Sequence, residues 1–343
     1  MPVLNKKIRV AINGFGRIGR AAFKIGWDKN ELEFVAVNDL TDPKTLAHLL
    51  RYDTNYGHWD HQVSSEESSL VVDGKKIKVL AEPDPTKLPW HDLDIDVVVE
   101  STGRFTHEED LKVHLTAGAK KVVLSAPIKD GTSPTVVLGV NNEALRGQSI
   151  IANASCTTNC VTPVAAVIEA AFGIEKAMLT TTHSVTSEQN LVDGPPPHGK
   201  SGDLRRARAG FENIIPTSTG ATEAAAKALP ALEGIFTGVA IRVPTPVVSI
   251  SDFTFLLKKN VTVDEVNQAL RKASDEPRFK GILAVTDEEL VSTDFKGSTY
   301  SAIVDLPLTQ VVGGNLVKVF AWYDNEWGYS NRLVEEVILA GRS

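Results

Sequence analysis

Up to about residue 155 the chain alternates short apolar runs with stretches of helical spacing. The runs at 8–12, 33–38, 95–100, 121–126, 135–140 and 149–154 are rich in valine and isoleucine and lack polar alternation. Such runs are expected of strands buried on both faces, and helices between them imply a doubly wound, mainly parallel sheet. A hairpin interrupts the pattern at 69–81, where Asp73-Gly74 is a tight-turn signal.

After Cys156 the rhythm changes. Val161, Val164, Ile168 and Phe172 recur at intervals of three and four, which predicts a helix to about residue 172. If that helix starts at Cys156, Pro163 lies past its first turn and is expected to bend it. Long strand-like segments follow at 176–185, 237–259 and 315–325, the last entered from a Gly313-Gly314 hairpin signature. They predict a mainly antiparallel sheet. Thr262 and Glu265 form a capping-box pattern ahead of another helix, and a closing helix is expected to stop at Gly341. The fold class that follows is α/β. A Rossmann-type dinucleotide-binding domain over 1–155 is joined to an α+β catalytic domain over 156–325. The closing helix, 329–341, is available to pack back onto the first domain.

The formal net charge of −7 gives no electrostatic support to a nonspecific nucleic-acid or anionic-membrane role. The dense basic cluster at 203–210 therefore reads as a local feature: a solvated face, or a guanidinium fork for a small phosphate. No apolar run reaches the length of a membrane span, and the N-terminal segment flows into a glycine turn without a signal-peptide layout. Two cysteines make no disulfide framework, so a reducing compartment, the cytoplasm, is expected.

Gly14, Gly16 and Gly19 form G-x-G-x-x-G between the first strand and a helix, and Asp39 closes the next strand twenty residues later. The first glycine permits the turn, the second lets a pyrophosphate approach the backbone, and the third lets helix and strand pack closely. Asp39 would accept hydrogen bonds from ribose hydroxyls and repel a 2′-phosphate, which favours NAD over NADP. Cys156 sits in NASCTTNC, among small polar residues at a helix start, a setting that can activate a thiol. Cys160, one turn on, reads as a packed structural cysteine, since two thiols without nearby histidines fall short of a zinc site.

The ordered motifs INGFGRIGR, VNDLTD, ESTGRF, SAP, ASCTTNC, TTHS, LRRARA, IIPTSTGA, RVPTP and WYDNEWGYS run almost end to end. With them the chain resembles the phosphorylating glyceraldehyde-3-phosphate dehydrogenase family. The resemblance implies that Cys156 attacks an aldehyde and that His183 forms a thiolate–imidazolium pair with it and serves as base. Two phosphate sites are implied, for glyceraldehyde 3-phosphate and inorganic phosphate, at Ser155, Thr157, Thr186, Arg206, Thr219, Gly220 and Arg242. The cofactor is implied to contact Asn13, Gly14, Phe15, Gly16, Arg17, Ile18, Gly19, Asp39, Thr102 and Ser125. Asn325 would hold the nicotinamide carboxamide, with Tyr329 near the ring. A homotetramer is also implied.

The chain departs from the family pattern at several places. Extra residues stand at 195–202, Gly194 replaces a bulkier apolar residue, Pro83 stands where an arginine often sits near the adenine, and VTSEQN follows the histidine. Competing readings are erythrose-4-phosphate dehydrogenase or another semialdehyde enzyme of the same two-domain fold, a thiol hydrolase, and a non-catalytic dinucleotide-binding sensor. The Thr219-Gly220 pair speaks for inorganic phosphate. The glycine fingerprint would have no purpose in a hydrolase, and Cys156 with His183 would have none in a sensor.

Overall fold

The first apolar run forms β1 (Ile8–Asn13), and the chain turns at Gly14 (φ +91°) into α1 (Arg17–Trp27). A Cβ on Gly14 would stand 2.6 Å from the Thr102 amide nitrogen, so only glycine fits this crossing. Next come β2 (Leu32–Asn38) and α2 (Pro43–Arg51), the latter capped by the Asp42 carboxylate on the Thr45 amide. A small ladder of β3 (Tyr52–Asp53) and β4 (Gly57–His58) leads to β5 (Val63–Glu66), β6 (Ser69–Val72) and β7 (Lys75–Leu80). The unit continues with β8 (Val97–Glu100), α3 (Glu108–Thr116), β9 (Lys121–Leu124) and β10 (Ile150–Ala152).

The structure, a computed structural model, describes residues 6–195 and 203–343. They fall into two compact units: residues 6–136, 142–154 and 330–343, and residues 137–141 and 155–329 without the undescribed stretch. In the first unit the sheet order is β10-β9-β8-β1-β2-β7-β6-β5. Pairing is parallel from β10 to β7, and the β5–β6–β7 meander expected at Asp73-Gly74 adds the antiparallel edge. The chain winds both ways from β1, so the crevice at the carboxyl ends of β1, β2 and β8 is where a doubly wound sheet takes its ligand.

In the second unit α4 (Cys156–Phe172) precedes β11 (Ile174–His183), β12 (Ile215–Ser218), α5 (Ala221–Ala228), β13 (Phe236–Arg242) and β14 (Ser249–Leu257). Then come α6 (Val263–Ser274), β15 (Leu283–Thr286), β16 (Ala302–Asp305), β17 (Gln310–Val312) and β18 (Leu316–Tyr323). Their order is β12-β13-β11-β14-β18-β16-β15, with β17 on β18. Pairing is antiparallel except at β11–β13 and β15–β16. Helices α4, α5 and α6 cover one face and build the main core with Phe253, Phe255 and Leu270. The Thr262–Glu265 capping box opens α6 as the sequence pattern requires.

Three expectations are corrected. The run at 135–140 is not a strand: Thr135 makes one bridge to Ala152, and the chain then turns at Gly139 (φ +85°), with the Asn141 side chain taking the Val137 amide. The segment 137–141 accordingly groups with the second unit. The apolar stretch 237–259 is two strands, since Pro244 and Pro246 lie between β13 and β14 and cannot donate to a ladder. Pro163 lies inside α4, past its first turn, as the sequence places it. The closing helix, α7 (Trp327–Arg342), runs through Gly341, whose missing Cβ would otherwise meet the Ile8 side chain at 2.6 Å. This close approach, with Leu333, Val334 and Val337 beside Val10 and Leu32, lays the helix on the first sheet.

Candidate active site

In the first unit the glycine turn opens a cleft of about 260 Å³ at the ends of β1, β2 and β8. Asn13, Gly14, Gly16, Asp39 and Thr102 line it, joined by Asn38, Glu82, Pro83, Ser101 and Arg104. Asp39 is held in place by two backbone amides, from Phe15 at 2.8 Å and Thr41 at 2.9 Å. The Arg20 guanidinium donates to the Phe15 carbonyl at 2.8 Å and fastens the loop to α1.

The cleft fits a dinucleotide phosphate. A Cβ on Gly16 would touch nothing within 4 Å, so the space above the start of α1 is open. Among the described residues no side chain caps that helix, and its unpaired first amides form the positive end of its dipole. By contrast a Cβ on Gly19 would stand 2.2 Å from the Gly14 carbonyl oxygen, the close packing required of the third glycine. Phe15 contributes its backbone while its ring is buried against Phe23. Arg17 directs its guanidinium to Asp53 at 2.7 Å, and Ile18 stands half-buried in the first helical turn. Ser125 follows β9 and donates its amide to the Glu100 carbonyl.

The second unit gathers the reactive side chains. Ala154, immediately before this unit begins, is held at φ +54°, a left-handed conformation that costs a non-glycine residue about 1–3 kcal/mol. Ser155 caps α4 by accepting from the Thr158 amide at 3.0 Å, so Cys156 is the first residue of the helix. The Cys156 sulfur lies 3.4 Å from His183 Nε2. His183 Nδ1 lies 2.7 Å from the Ser184 carbonyl, which fixes the tautomer: Nδ1 carries the proton and Nε2 accepts from the thiol. Arg242 also donates to the Ser184 carbonyl, at 3.2 Å, and to the Thr186 hydroxyl at 3.3 Å. Its 3.0 Å approach to His183 Nδ1 is therefore two donors sharing one acceptor.

This arrangement sets the protonation states. Burial, with the Arg242 charge beside it, lowers His183 to about 3. Burial raises the Cys156 thiol, against the opposing pull of Arg242 and the Thr157 amide. Both shifts favour the uncharged thiol and imidazole over the ion pair that the family resemblance implies. The physical reason is desolvation, together with a cation placed where it disfavours an imidazolium.

A polar chain continues from Arg242. One oxygen of Glu188 accepts from Arg242 and from Arg206, each at 3.3 Å. Arg206 also donates to the Thr217 hydroxyl at 2.8 Å and the Ser218 carbonyl at 3.2 Å. Thr219 and Gly220 come next and lead into α5, and the Thr219 hydroxyl accepts from the Ala221 amide. Arg242, Arg206 and Thr186 are thereby brought together. Thr157 is buried, and its hydroxyl is engaged by Tyr323 at 2.9 Å. The Tyr323 hydroxyl also meets Thr181 at 2.8 Å, and its ring lies edge-on to His183.

Asn325 Oδ1 accepts from Ser184 Oγ at 2.9 Å, the Val248 amide at 2.9 Å and Ser249 Oγ at 3.3 Å. With the oxygen saturated, the amide's donor side is left for a ligand. Val248 is itself strained at φ +72°, a conformation rare for a β-branched residue. Tyr329 is buried. Of the 195–202 loop, residues 196–202 lie outside the described residues. Among the described residues no group of three or more potential ligands could hold a metal.

Comparison with known proteins fits this geometry. The glyceraldehyde 3-phosphate dehydrogenase NAD-binding domain model matches residues 8–108, and its C-terminal domain model matches residues 155–325. The chain is 52% identical over 329 residues to glyceraldehyde-3-phosphate dehydrogenase 1 of Bacillus cereus, spanning 95% of this chain and 96% of that one. The chain belongs to the glyceraldehyde-3-phosphate dehydrogenase family. The family's enzymes from Geobacillus stearothermophilus and Thermotoga maritima are also 52% identical, each over 96% of this chain and over 96% and 98% of their own lengths. As a member of this family the protein is an NAD-dependent dehydrogenase.

The sequence reading missed Glu188, Tyr323, Asn38 and Glu82. Tyr323 stood inside the WYDNEWGYS motif, and Glu188 in the segment noted for its departure from the family pattern. Asn38 stood inside the VNDLTD motif, and Glu82 carries no local signal.

Proposed function

We propose that the enzyme oxidises D-glyceraldehyde 3-phosphate and phosphorylates the product to 1,3-bisphosphoglycerate, with Cys156 as nucleophile and His183 as base. The observation that carries this is the thiol–imidazole pair at 3.4 Å flanked by an arginine and a hydroxyl-rich anion site. His183 Nε2 takes the thiol proton as sulfur attacks the aldehyde carbon, and returns it to the oxygen of the thiohemiacetal. His183 then removes that hydroxyl proton as the C–H bond breaks, leaving a thioester on Cys156. NAD⁺, when bound, supplies the hydride acceptor. Attack by phosphate on the thioester releases the acyl phosphate and restores the thiol.

A dianionic phosphate beside Arg242 offsets the charge that holds His183 low, so substrate binding itself makes the base more basic. Arg242 and Thr186 suit the substrate phosphate, while Arg206, Thr219 and Gly220 suit the inorganic one, with Ser155 and Thr157 contributing from the start of α4. Asn13, Gly14, Phe15, Gly16, Gly19 and Asp39, with Arg17, Ile18, Thr102 and Ser125 around them, would hold the adenosine and pyrophosphate of the cofactor. Asn325 would donate its free amide hydrogens to the nicotinamide carboxamide.

A homotetramer and a cytoplasmic setting belong to the same proposal. Met178 and Val239 are exposed on the sheet face opposite the helices, which suits self-association, and both cysteines are free thiols. No helix of the described residues is long and apolar enough to cross a membrane. Substrate profiling tests the reading. A higher kcat/KM for erythrose 4-phosphate or for a non-phosphorylated semialdehyde than for glyceraldehyde 3-phosphate overturns it.

A further inference from the structure

The cleft in the first unit rests on a buried carboxylate that does not line it. Glu100 ends β8, in register with Asn13 at the end of β1, and its side chain is fully buried. Its Oε2 accepts from Asn13 Nδ2 at 2.6 Å and His114 Nε2 at 3.1 Å. Its Oε1 accepts from the Thr102 amide at 2.8 Å and the Thr102 hydroxyl at 2.6 Å. His114, also fully buried, receives the Trp90 indole N–H on Nδ1 at 3.1 Å. An indole nitrogen only donates, so Nδ1 is bare and Nε2 carries the proton aimed at Glu100. Four donors converge on one buried carboxylate and satisfy both its oxygens, with no lysine or arginine partner among the described residues.

From this hub a network of fixed polarity runs to both walls of the cleft. Asn13 Oδ1 accepts from Asn38 Nδ2 at 2.7 Å. The Asn38 side chain then closes on the Glu82 backbone, donating to its carbonyl and accepting from its amide, each at 2.9 Å. A backbone cannot exchange donor for acceptor, so neither asparagine can flip without losing bonds. Thr102 leads into the wall that carries Arg104, and Glu82 begins the wall that carries Pro83.

We propose that Glu100 is a positioning residue for NAD binding, holding both walls of the cleft in their binding geometry without touching the ligand. The proposal rests on the reading of this cleft as the cofactor site. Pre-set walls spare the ligand the cost of ordering them.

Glu100→Gln keeps the shape and tests the polarity. The Asn13–Asn38–Glu82 relay and His114 all demand the carboxamide oxygen on their side. The new NH₂ then faces the Thr102 amide, and two donors oppose each other where an acceptor stood. The dissociation constant for NAD⁺ by calorimetry, and its KM, should rise about tenfold. At saturating NAD⁺, kcat stays within about twofold, and the KM values for aldehyde and phosphate do not move. A dissociation constant equal to wild type, or a loss confined to kcat, overturns the proposal.

Should that variant fail to fold, two substitutions at His114, outside the cleft, carry the test. His114→Leu removes one donor to Glu100 and should weaken NAD⁺ binding by about threefold, while His114→Gln keeps an N–H for it and should recover most of the loss. Equal affinity in the two variants is the contrary result. Gly16→Ala, which fills the cleft itself, separates the readings. If it alone weakens binding, Glu100 is structural only. If it binds NAD⁺ like wild type, the cleft is not the site and the proposal falls with it.

Discussion

Gly14 and Gly16 stand two residues apart, and the structure gives them opposite duties. Gly14→Ala forces a side chain into φ +91° and sets its Cβ 2.6–2.7 Å from the backbone of Ser101 and Thr102. The left-handed backbone costs about 1–2 kcal/mol and the overlap with rigid main chain about 1–3 more, so the loss of stability should reach about 2–5 kcal/mol. Gly16 has φ −72° and ψ −158°, which any residue adopts, and open space where a Cβ would go. For Gly16→Ala, the entropy gain of about 0.4–1 kcal/mol roughly cancels the poorer N-cap, leaving stability within about 0.5 kcal/mol of wild type. NAD⁺ affinity should nonetheless fall by tenfold or more, because the methyl occupies the approach to the α1 amides. Urea unfolding and calorimetric titration of both variants separate the effects. Gly14→Ala with an unchanged unfolding midpoint, or Gly16→Ala with an unchanged dissociation constant, refutes the reasoning.

Other outcomes follow from the same geometry. Cys156→Ser should lower turnover by at least about a thousandfold while NAD⁺ affinity stays within about twofold; parallel loss of both in one preparation would mean misfolding. Tyr323→Phe removes a buried hydroxyl that meets both the Thr157 and Thr181 hydroxyls and leaves Thr181 with only the Ile250 carbonyl at 3.4 Å. It should cost about 1–3 kcal/mol in urea unfolding and lower kcat, and a variant equal to wild type in both would count against the assigned contacts. The Ser133 amide and hydroxyl, then the Thr132 amide, hold the Glu108 carboxyl at about 2, below its ordinary 4.5. The stabilisation is complete above pH 4.5 and disappears as pH falls from 4.5 through about 2. Glu108→Gln should therefore be less stable than wild type near neutral pH and converge with it in strong acid. A constant difference across that range would contradict the assignment.

What could be read from the sequence was what local stereochemistry dictates. The glycine turn, the Asp39 position and the Thr262–Glu265 cap follow from backbone angles and orphan amides that only certain residues serve. The run at 135–140 misled because its valines are as apolar as a strand's, while its course is set by Gly139 and the Asn141 side chain. Gly341 was read as a stop because a glycine at a helix end is ambiguous: here it serves a close approach to Ile8, a residue more than three hundred positions away. Cys156 and His183 were legible through family motifs, but the bias on their protonation was not, because it comes from burial in the folded core and from Arg242 beside them. Glu100 stood inside the ESTGRF motif, but nothing local marked it as a hub. Its importance arises only when four donors, from Asn13 of β1, His114 of α3 and the amide and hydroxyl of Thr102, meet around it.

The central claim is that oxidation stores its energy as a thioester on Cys156, which phosphate then releases. The direct measurement follows NADH absorbance after mixing enzyme, NAD⁺ and glyceraldehyde 3-phosphate, first without and then with inorganic phosphate. Without phosphate the account predicts a burst of about one NADH per active subunit followed by a near-halt, and with phosphate a sustained rise. A steady rise that is indifferent to phosphate, or no rise in either case, would contradict it.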